Sequence, residues 1–136
     1  MDIVEFLTSY SRTLIHDLEE LYRRIAFNIA ISNHDDYLRN HGFLLGRDGW
    51  ILSLAYDLNP SLGNLQYLSL NITLDSGLSS FDLLHGTAAF YQISEDRGRK
   101  IIQSVSEIVR GNWGRLARRS AISEFEIKRM RPCFEK

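Results

Sequence analysis

Eight consecutive residues, Asn33 to Asn40, concentrate the side chains of this sequence that could do chemistry. They comprise two carboxylates, two carboxamides, an imidazole and a guanidinium. A further carboxylate, Asp57, follows after a mostly apolar stretch. Polar groups are costly to bring together on a folded scaffold unless they are hydrogen-bonded. This density of polar residues therefore predicts a functional site.

Asp35, Asn40 and Asp57 form a set that suits phosphoryl transfer. In that reaction one carboxylate orients the attacking hydroxyl and can accept its proton, while a second carboxylate and an amide oxygen hold magnesium against the phosphates. Asp35 precedes Asn40 by the D-x-x-x-x-N spacing of a protein-kinase catalytic loop. The spacing is weakly specific by itself. A later aspartate beyond a hairpin makes it a better indicator of a magnesium and nucleotide site.

Two charged neighbours in the same stretch have open roles. Asp36 is read as a solvated charge, and Asp35 is preferred over it because only Asp35 has the required offset to Asn40. Arg39 either contacts a phosphate or forms an ion pair that fixes the loop.

A metal site of the hydrolase type is an alternative for the same region. It would use His34 and His41 together with Asp35 and Asp57. No H-x-x-x-H or comparable ligand spacing supports it, so it ranks below phosphoryl transfer.

The polar stretch follows the best-defined helix of the sequence, which Asp17 either caps or begins and which is predicted to reach about Ser32. Apolar residues recur there at three- and four-residue spacing, the pattern of an amphipathic helix with one buried face. A shorter helix is predicted over 2–10. Asn33 to Asn40 favour a loop, because such side chains compete for backbone hydrogen bonds. The buried face comprises Leu18, Leu21, Tyr22, Ile25 and Ile29.

A β-hairpin is predicted directly after the loop. Its strands are 43–45 and 50–52, and its turn contains Gly46 and Gly49. Residues 54–58 continue in extended or irregular form, and Pro60 marks the end of that segment.

The remaining residues predict an extended segment and three helices, which makes the fold mainly α with one small hairpin. The extended segment covers 61–78 and includes a turn at 75–77. The first helix covers 81–91 and is capped by Ser79 or Ser80. The second is long, begins at Ser94 and has a break near Gly111 or Gly114. The third covers 123–131, begins with a capping box at Ser123 and ends at Pro132.

Composition indicates one globular domain of 136 residues with a net charge of −1. That charge balance does not favour direct nucleic-acid binding, and the apolar runs are too short for a membrane span. The only cysteine, Cys133, and the absence of a signal peptide pattern favour the cytoplasm. The basic end from Arg110 to Lys136 is read as a solvated helix face or as a surface for an anionic partner.

Two segments of the sequence resemble a known family. Residues 27–45 and 49–60, with N-x-D-x-x-x-R-N at their centre, resemble the C-terminal region of HipA-like serine/threonine kinases, the toxin kinases of bacterial toxin–antitoxin systems. The family pattern is an apolar helix, N-x-D-x-H-x-[KR]-N, a hairpin and a Y-D segment. The resemblance extends more loosely to 88–90 and to the helix through Trp113.

The resemblance implies a fold and a set of residue roles. Residues 1–136 would form a protein-kinase-like C-terminal helical lobe with a small hairpin after the catalytic loop. Asp35 would be the catalytic aspartate, while Asn40 and Asp57 would hold Mg²⁺ and ATP. Tyr37 stands where the family often has His, which removes any role specific to that imidazole.

The sequence lacks features that a kinase uses to grip ATP. No glycine-rich strand–loop–strand precedes Asn33, and no lysine precedes Lys100. The resemblance thus implies a lobe that works with an N-terminal lobe or a separate subunit, the chain being a fragment, a truncated product or half of a split kinase. Implied partners are a protein substrate and a HipB-like helix-turn-helix antitoxin. The alternative is a non-catalytic module that acts only through contacts with another chain.

Overall fold

The computed structural model describes residues 2–63, 66–73 and 76–135. In that part of the chain the regular structure is mainly helical with one two-stranded antiparallel sheet, which confirms the predicted fold class. The elements are α1 (Asp2–Tyr10), α2 (Leu14–Ala30), β1 (Phe43–Gly46), β2 (Gly49–Leu52), α3 (Phe81–Gly86), α4 (Glu95–Arg119) and α5 (Glu124–Phe134), with short 3₁₀ segments at Leu38–Asn40 and Ala88–Tyr91.

Helix α2 is the centre of the fold. Its predicted apolar face is buried against α4 and the 3₁₀ segment 88–91, with Leu18 and Tyr22 completely inaccessible. The helix begins earlier than predicted, with Thr13 at its N-cap position. Asp17 therefore does not cap the helix. Its buried carboxylate accepts hydrogen bonds from Ser11 Oγ at 2.7 Å and from Leu52 N at 3.1 Å, which fixes the hairpin to α2.

A Schellman motif ends α2 and starts the polar loop, which covers residues 33–41. Ser32 N donates to Ile29 O at 3.2 Å, and Asn33 N donates to Asn28 O at 2.8 Å. Ser32 has a φ of 57°, the left-handed conformation that this motif requires. The chain consequently leaves the helix in a defined direction at Asn33.

The hairpin forms as predicted, with each strand one residue longer. Phe43 pairs with Leu52 and Gly46 with Gly49. Gly49 has a φ of 126°, which favours glycine at this turn. The Phe43 ring packs 4.3 Å from the Phe6 ring of α1, so the hairpin is held against the first helix as well as α2.

Helix α4 continues through the glycines that were expected to break it. Gly111 and Gly114 lie inside the 25-residue helix. An interior glycine costs roughly 1 kcal/mol, and the buried stripe that includes Val105 and Val109 offsets that cost by packing against α2. No helix in the described ranges is both long and apolar enough to cross a membrane.

Helix α5 also passes the residue expected to end it. It begins at the predicted Ser123 capping box, but Pro132 lies inside it and the helix reaches Phe134. The Phe134 ring stacks on Trp113 of α4 at 4.9 Å. Proline removes one backbone hydrogen bond, and this stacking with the burial of Cys133 keeps the last turn in place.

The segment between the hairpin and α3 is mostly irregular where it is described. The predicted extended stretch appears as an isolated bridge between Tyr67 and Leu78; Leu65, Leu74 and Asp75 lie outside the described residues. Ser80 caps α3 through Leu83 N, as one of two predicted alternatives. The predicted helix over 81–91 divides at Thr87 into α3 and the 3₁₀ segment.

Candidate active site

The polar loop has an inner and an outer face. Its inner face consists of five buried side chains, those of Asn33, His34, Asp36, Asn40 and His41. Asp35 and residues 37–39 point away from the core and are exposed. The two neighbouring aspartates therefore occupy opposite environments, although the sequence places them side by side.

The structure brings the three predicted site residues together. Asn40 Nδ2 donates to Asp57 Oδ2 at 3.0 Å and to the backbone oxygen of Asp35 at 3.4 Å. Asn40 ends the 3₁₀ segment Leu38–Asn40 and is only 6% exposed. A single amide thus links the loop to the segment that follows the hairpin.

The carboxylate of Asp57 is oriented by two amides. Oδ2 accepts from Asn40, and Oδ1 accepts from Asn59 Nδ2 at 2.8 Å. Asp57 has a φ of 56°, a left-handed conformation that is uncommon outside glycine but tolerated by aspartate. Tyr56 Oη donates to Arg39 O at 2.7 Å. These contacts hold an exposed carboxylate in one place beside the loop.

A buried arginine fixes the segment that leads to Asp57. Arg24 of α2 is 6% exposed, pairs with Glu20 at 3.0 Å and donates to the backbone oxygen of Ser53. Ser53 N in turn donates to Gly42 O at 2.9 Å. The base of the hairpin is consequently attached both to α2 and to the end of the polar loop.

The side chain of Asp35 is free. It is exposed, and no described residue gives it a hydrogen bond or an ion pair. Arg39 instead lies over the Tyr37 ring, 4.2 Å from its centroid. The alternative in which Arg39 fixes the loop by an ion pair is therefore wrong within the described part of the chain. Asp35 is available to a ligand.

An open cleft of about 320 Å³ lies in front of these residues. Two carboxylates, a guanidinium and two carboxamides surround it, so it offers oxygen ligands to a cation and one positive charge to an anion. The lining residues are Asn33, Asp35, Tyr37, Arg39, Asp57 and Asn59.

The donor set at the cleft fits magnesium. Asn40 turns its Nδ2 to Asp57, which leaves its Oδ1 without a hydrogen bond from any described residue. Asp57 supplies carboxylate oxygens on the cleft wall. Hard cations prefer this combination of carboxylate and amide oxygens.

Asp36 is not the solvated charge that the sequence suggested. It is 5% exposed, accepts from Asn28 Nδ2 at 2.7 Å and from His41 Nε2 at 3.0 Å. Asn28 Oδ1 accepts from Asn33 Nδ2 at 3.1 Å. This buried chain of hydrogen bonds supports the loop from below. A polar residue at position 28, inside an otherwise apolar stretch of α2, was the available signal for it.

The histidines of the region serve the fold. His34 Nδ1 lies 3.0 Å from Tyr67 O, which accepts its hydrogen, and His41 binds Asp36. Within the described ranges, no group of three or more His, Cys, Asp or Glu side chains is placed to hold a metal. The hydrolase-type site proposed for His34 and His41 does not form there.

A family model supports the resemblance seen in the sequence. The model of the HipA-like C-terminal domain matches residues 1–113. The chain belongs to this family. No curated protein and no solved structure gave a significant match.

The HipA-like match contains the polar loop, the hairpin and Asp57, but it ends within α4. Helix α5 lies beyond it and contacts two residues that flank the site. Ser32 Oγ donates to Cys133 O at 2.9 Å, Cys133 Sγ donates to Ser61 O at 3.5 Å, and Ser61 N donates to Ser32 O at 3.0 Å. This ring joins α5 of the HipA-like chain to the start of the loop and to the segment after Asp57.

Proposed function

We propose that the chain is the catalytic C-terminal lobe of a serine/threonine kinase that transfers the γ-phosphoryl group of Mg-ATP to a protein hydroxyl. The observation that carries the proposal is the unpartnered carboxylate of Asp35 on the wall of a cleft that also contains Asp57, held by Asn40. Membership of the HipA-like family supports it.

Each of the three residues has a distinct role in this proposal. Asp35 hydrogen-bonds the attacking hydroxyl of the substrate and accepts its proton, for which its free and exposed carboxylate is suited. Asp57 and Asn40 bind Mg²⁺ through their oxygens. Bound magnesium neutralises charge on the ATP phosphates. The amides of Asn40 and Asn59 keep the Asp57 carboxylate in position.

A second lobe completes the proposed enzyme. Among the described residues that line the cleft, Arg39 is the single cationic side chain, and it stacks on Tyr37. Kinases use a lysine and a glycine-rich loop to hold the ATP phosphates. We propose that an N-terminal lobe, on the same polypeptide or on a separate subunit, supplies them. The proposal places the enzyme in the cytoplasm, with a protein substrate and a HipB-like antitoxin as partners.

The same shortage of cationic residues favours a second candidate function. A lobe whose cleft holds phosphate through one stacked arginine would bind ATP weakly by itself. Such a chain would act as a non-catalytic module through contacts with another protein. Nucleotide binding and turnover distinguish the two candidates.

Calorimetric titration of the 136-residue chain with ATP and Mg²⁺ is the first test. The kinase proposal expects binding that is weak for the chain alone, tighter with a complementing N-terminal lobe, and abolished by Asp57→Asn. Asp48→Asn is the matched control, because Asp48 is an exposed carboxylate on the hairpin turn, 4.0 Å from Arg12 and outside the cleft. Absence of binding at millimolar ATP, both with and without a complementing N-terminal lobe, would favour the non-catalytic module.

Transfer of labelled phosphate from ATP is the second test, performed on the chain with and without a complementing N-terminal lobe. Asp35→Asn should reduce the rate by about 10²–10⁴-fold, the usual contribution of a general base, while circular dichroism stays unchanged. Activity retained in Asp35→Asn would refute its assigned role.

A further inference from the structure

One residue that lines the cleft has a polar atom that the proposed mechanism does not use. Asn33 is 1% exposed and lines the cleft. Its Oδ1 is buried and has no hydrogen-bond partner. Buried carbonyl oxygens are nearly always hydrogen-bonded, by protein groups or by ordered water. An orphan at this position points to a ligand.

The orientation of the Asn33 amide is fixed from below. A carboxylate only accepts hydrogen bonds, so Asp36 must face Nδ2 of Asn28, as it does at 2.7 Å. Asn28 Oδ1 is then the group turned toward Asn33, and Asn33 must donate to it through Nδ2, as it does at 3.1 Å. Rotating the Asn33 amide would bring two oxygens together. Oδ1 is therefore the polar atom of the Asn33 side chain that has no partner among the described residues.

The surroundings decide what kind of group Asn33 Oδ1 would bind. Asp35 and Asp57 make this cleft rich in acceptors, so the missing partner must be a donor. The oxygen is inaccessible to bulk solvent, so the partner must also be small. Magnesium loses its hydration shell reluctantly and usually keeps several water ligands in protein sites. A water molecule on the cation meets all of these requirements.

We propose that Asn33 is a further residue of the cation site, whose Oδ1 accepts a hydrogen bond from a water ligand of the divalent cation. The inference rests on the proposed function, because the cation is the one held by Asp57 and Asn40. Asn28 and Asp36 are positioning residues in this arrangement. They act on the cation only through the orientation of the Asn33 amide.

Titration of the 136-residue chain with Mn²⁺, followed by the electron paramagnetic resonance of the free ion, tests the inference. Groups that bind a metal through its ligands typically contribute 10–100-fold to affinity. Asn33→Ala should weaken Mn²⁺ binding by about that factor. Water-proton relaxation should show faster exchange of water from bound Mn²⁺ in Asn33→Ala, a change that loss of structural support alone would not produce.

The outcomes separate this inference from the proposed function. If Asp57→Asn abolishes Mn²⁺ binding and Asn33→Ala leaves it unchanged, the role of Asn33 is refuted and the cation site stands. If the wild type binds no Mn²⁺ at millimolar concentration, or Asp57→Asn binds as the wild type does, the cation site itself fails and the role of Asn33 fails with it.

Discussion

The polar loop over 33–41 and the junction between α4 and α5 over 118–126 are both rich in charged and polar side chains. At the junction these side chains are exposed, with Arg118 bound to Glu124 at 2.6 Å and Ser123 to Glu126 in a capping box. In the loop, most of them are buried, and Asn33, Asp36 and His41 share one hydrogen-bonded chain through α2.

This difference indicates which polar groups contribute most to the stability of the fold. An exposed ion pair exchanges contacts with water for contacts of similar strength, and its loss changes little. A buried donor or acceptor that loses its partner keeps the whole desolvation cost. Substitutions in the two regions should therefore have effects of different size, even where the residue types are the same.

The largest effect is expected for Asp36→Leu. The substitution leaves Asn28 Nδ2 and His41 Nε2 buried without an acceptor, so the free energy of unfolding should fall by about 3–5 kcal/mol. Urea denaturation measures it. The adjacent Asp35→Asn, which removes no contact, should stay within about 0.5 kcal/mol of the wild type. Equal falls in the free energy of unfolding for the two variants would contradict the distinction between the inner and outer faces of the loop.

A smaller fall in the free energy of unfolding is expected for Ser123→Ala at the junction. Ser123 Oγ accepts from Glu126 N at 3.2 Å at the start of α5, and removing such a cap costs about 1 kcal/mol. The rate of amide hydrogen exchange should rise in the first turn of α5 and stay unchanged in the polar loop. A loss as large as that of Asp36→Leu would contradict the comparison.

An ion pair between α2 and α4 gives an intermediate case that depends on pH. The hydrogen bond from Arg97 lowers the pKa of Glu19 below its ordinary value, with burial opposing the shift. A lowered pKa in the folded state means that the pair stabilises the fold above the ordinary glutamate range and that this stability is lost as pH falls through the lowered pKa.

Thermal unfolding measured from neutral to acidic pH tests this case. The wild type should lose more stability than Glu19→Gln over the acidic range, and the two curves should converge at the lowest pH. Parallel curves would show that Glu19 does not contribute to the pH dependence.

The smallest effect is expected for Glu124→Gln. Arg118 lowers the pKa of the Glu124 carboxyl through its hydrogen bond, but both side chains are well exposed. Water and salt screen such pairs, so the thermal midpoint should remain within experimental error at low and high salt. A large loss of stability that added salt does not reduce would contradict the comparison, because it is the behaviour expected of a buried pair.

The sequence predicted elements wherever a local signal was strong. The apolar period of α2, the glycines around the hairpin turn and the capping box at Ser123 each determine local structure, and the corresponding elements are present. The helix break predicted at Gly111 or Gly114 and the helix end predicted at Pro132 were wrong, because side-chain packing from other elements outweighs the intrinsic preferences of these residues. Tertiary packing of this kind has no short-range pattern in a sequence.

For the site, the D-x-x-x-x-N spacing and a later aspartate beyond the hairpin selected Asp35, Asn40 and Asp57. The structure places Asp35 and Asp57 on one cleft wall, with Asn40 hydrogen-bonded to both residues; their roles remain predictions. The burial of Asp36 was missed because an irregular loop has no period that separates inner from outer positions. The role proposed for Asn33 was also out of reach, since it depends on a chain of hydrogen bonds that reaches back into α2.

The ring that joins Ser32 to Cys133 has a consequence for the order of events during synthesis. Its two ends are separated by 101 residues, and a ribosome that adds about 5–20 residues per second needs about 5–20 s to make that length. The turn that begins the polar loop therefore emerges long before the residue that secures it.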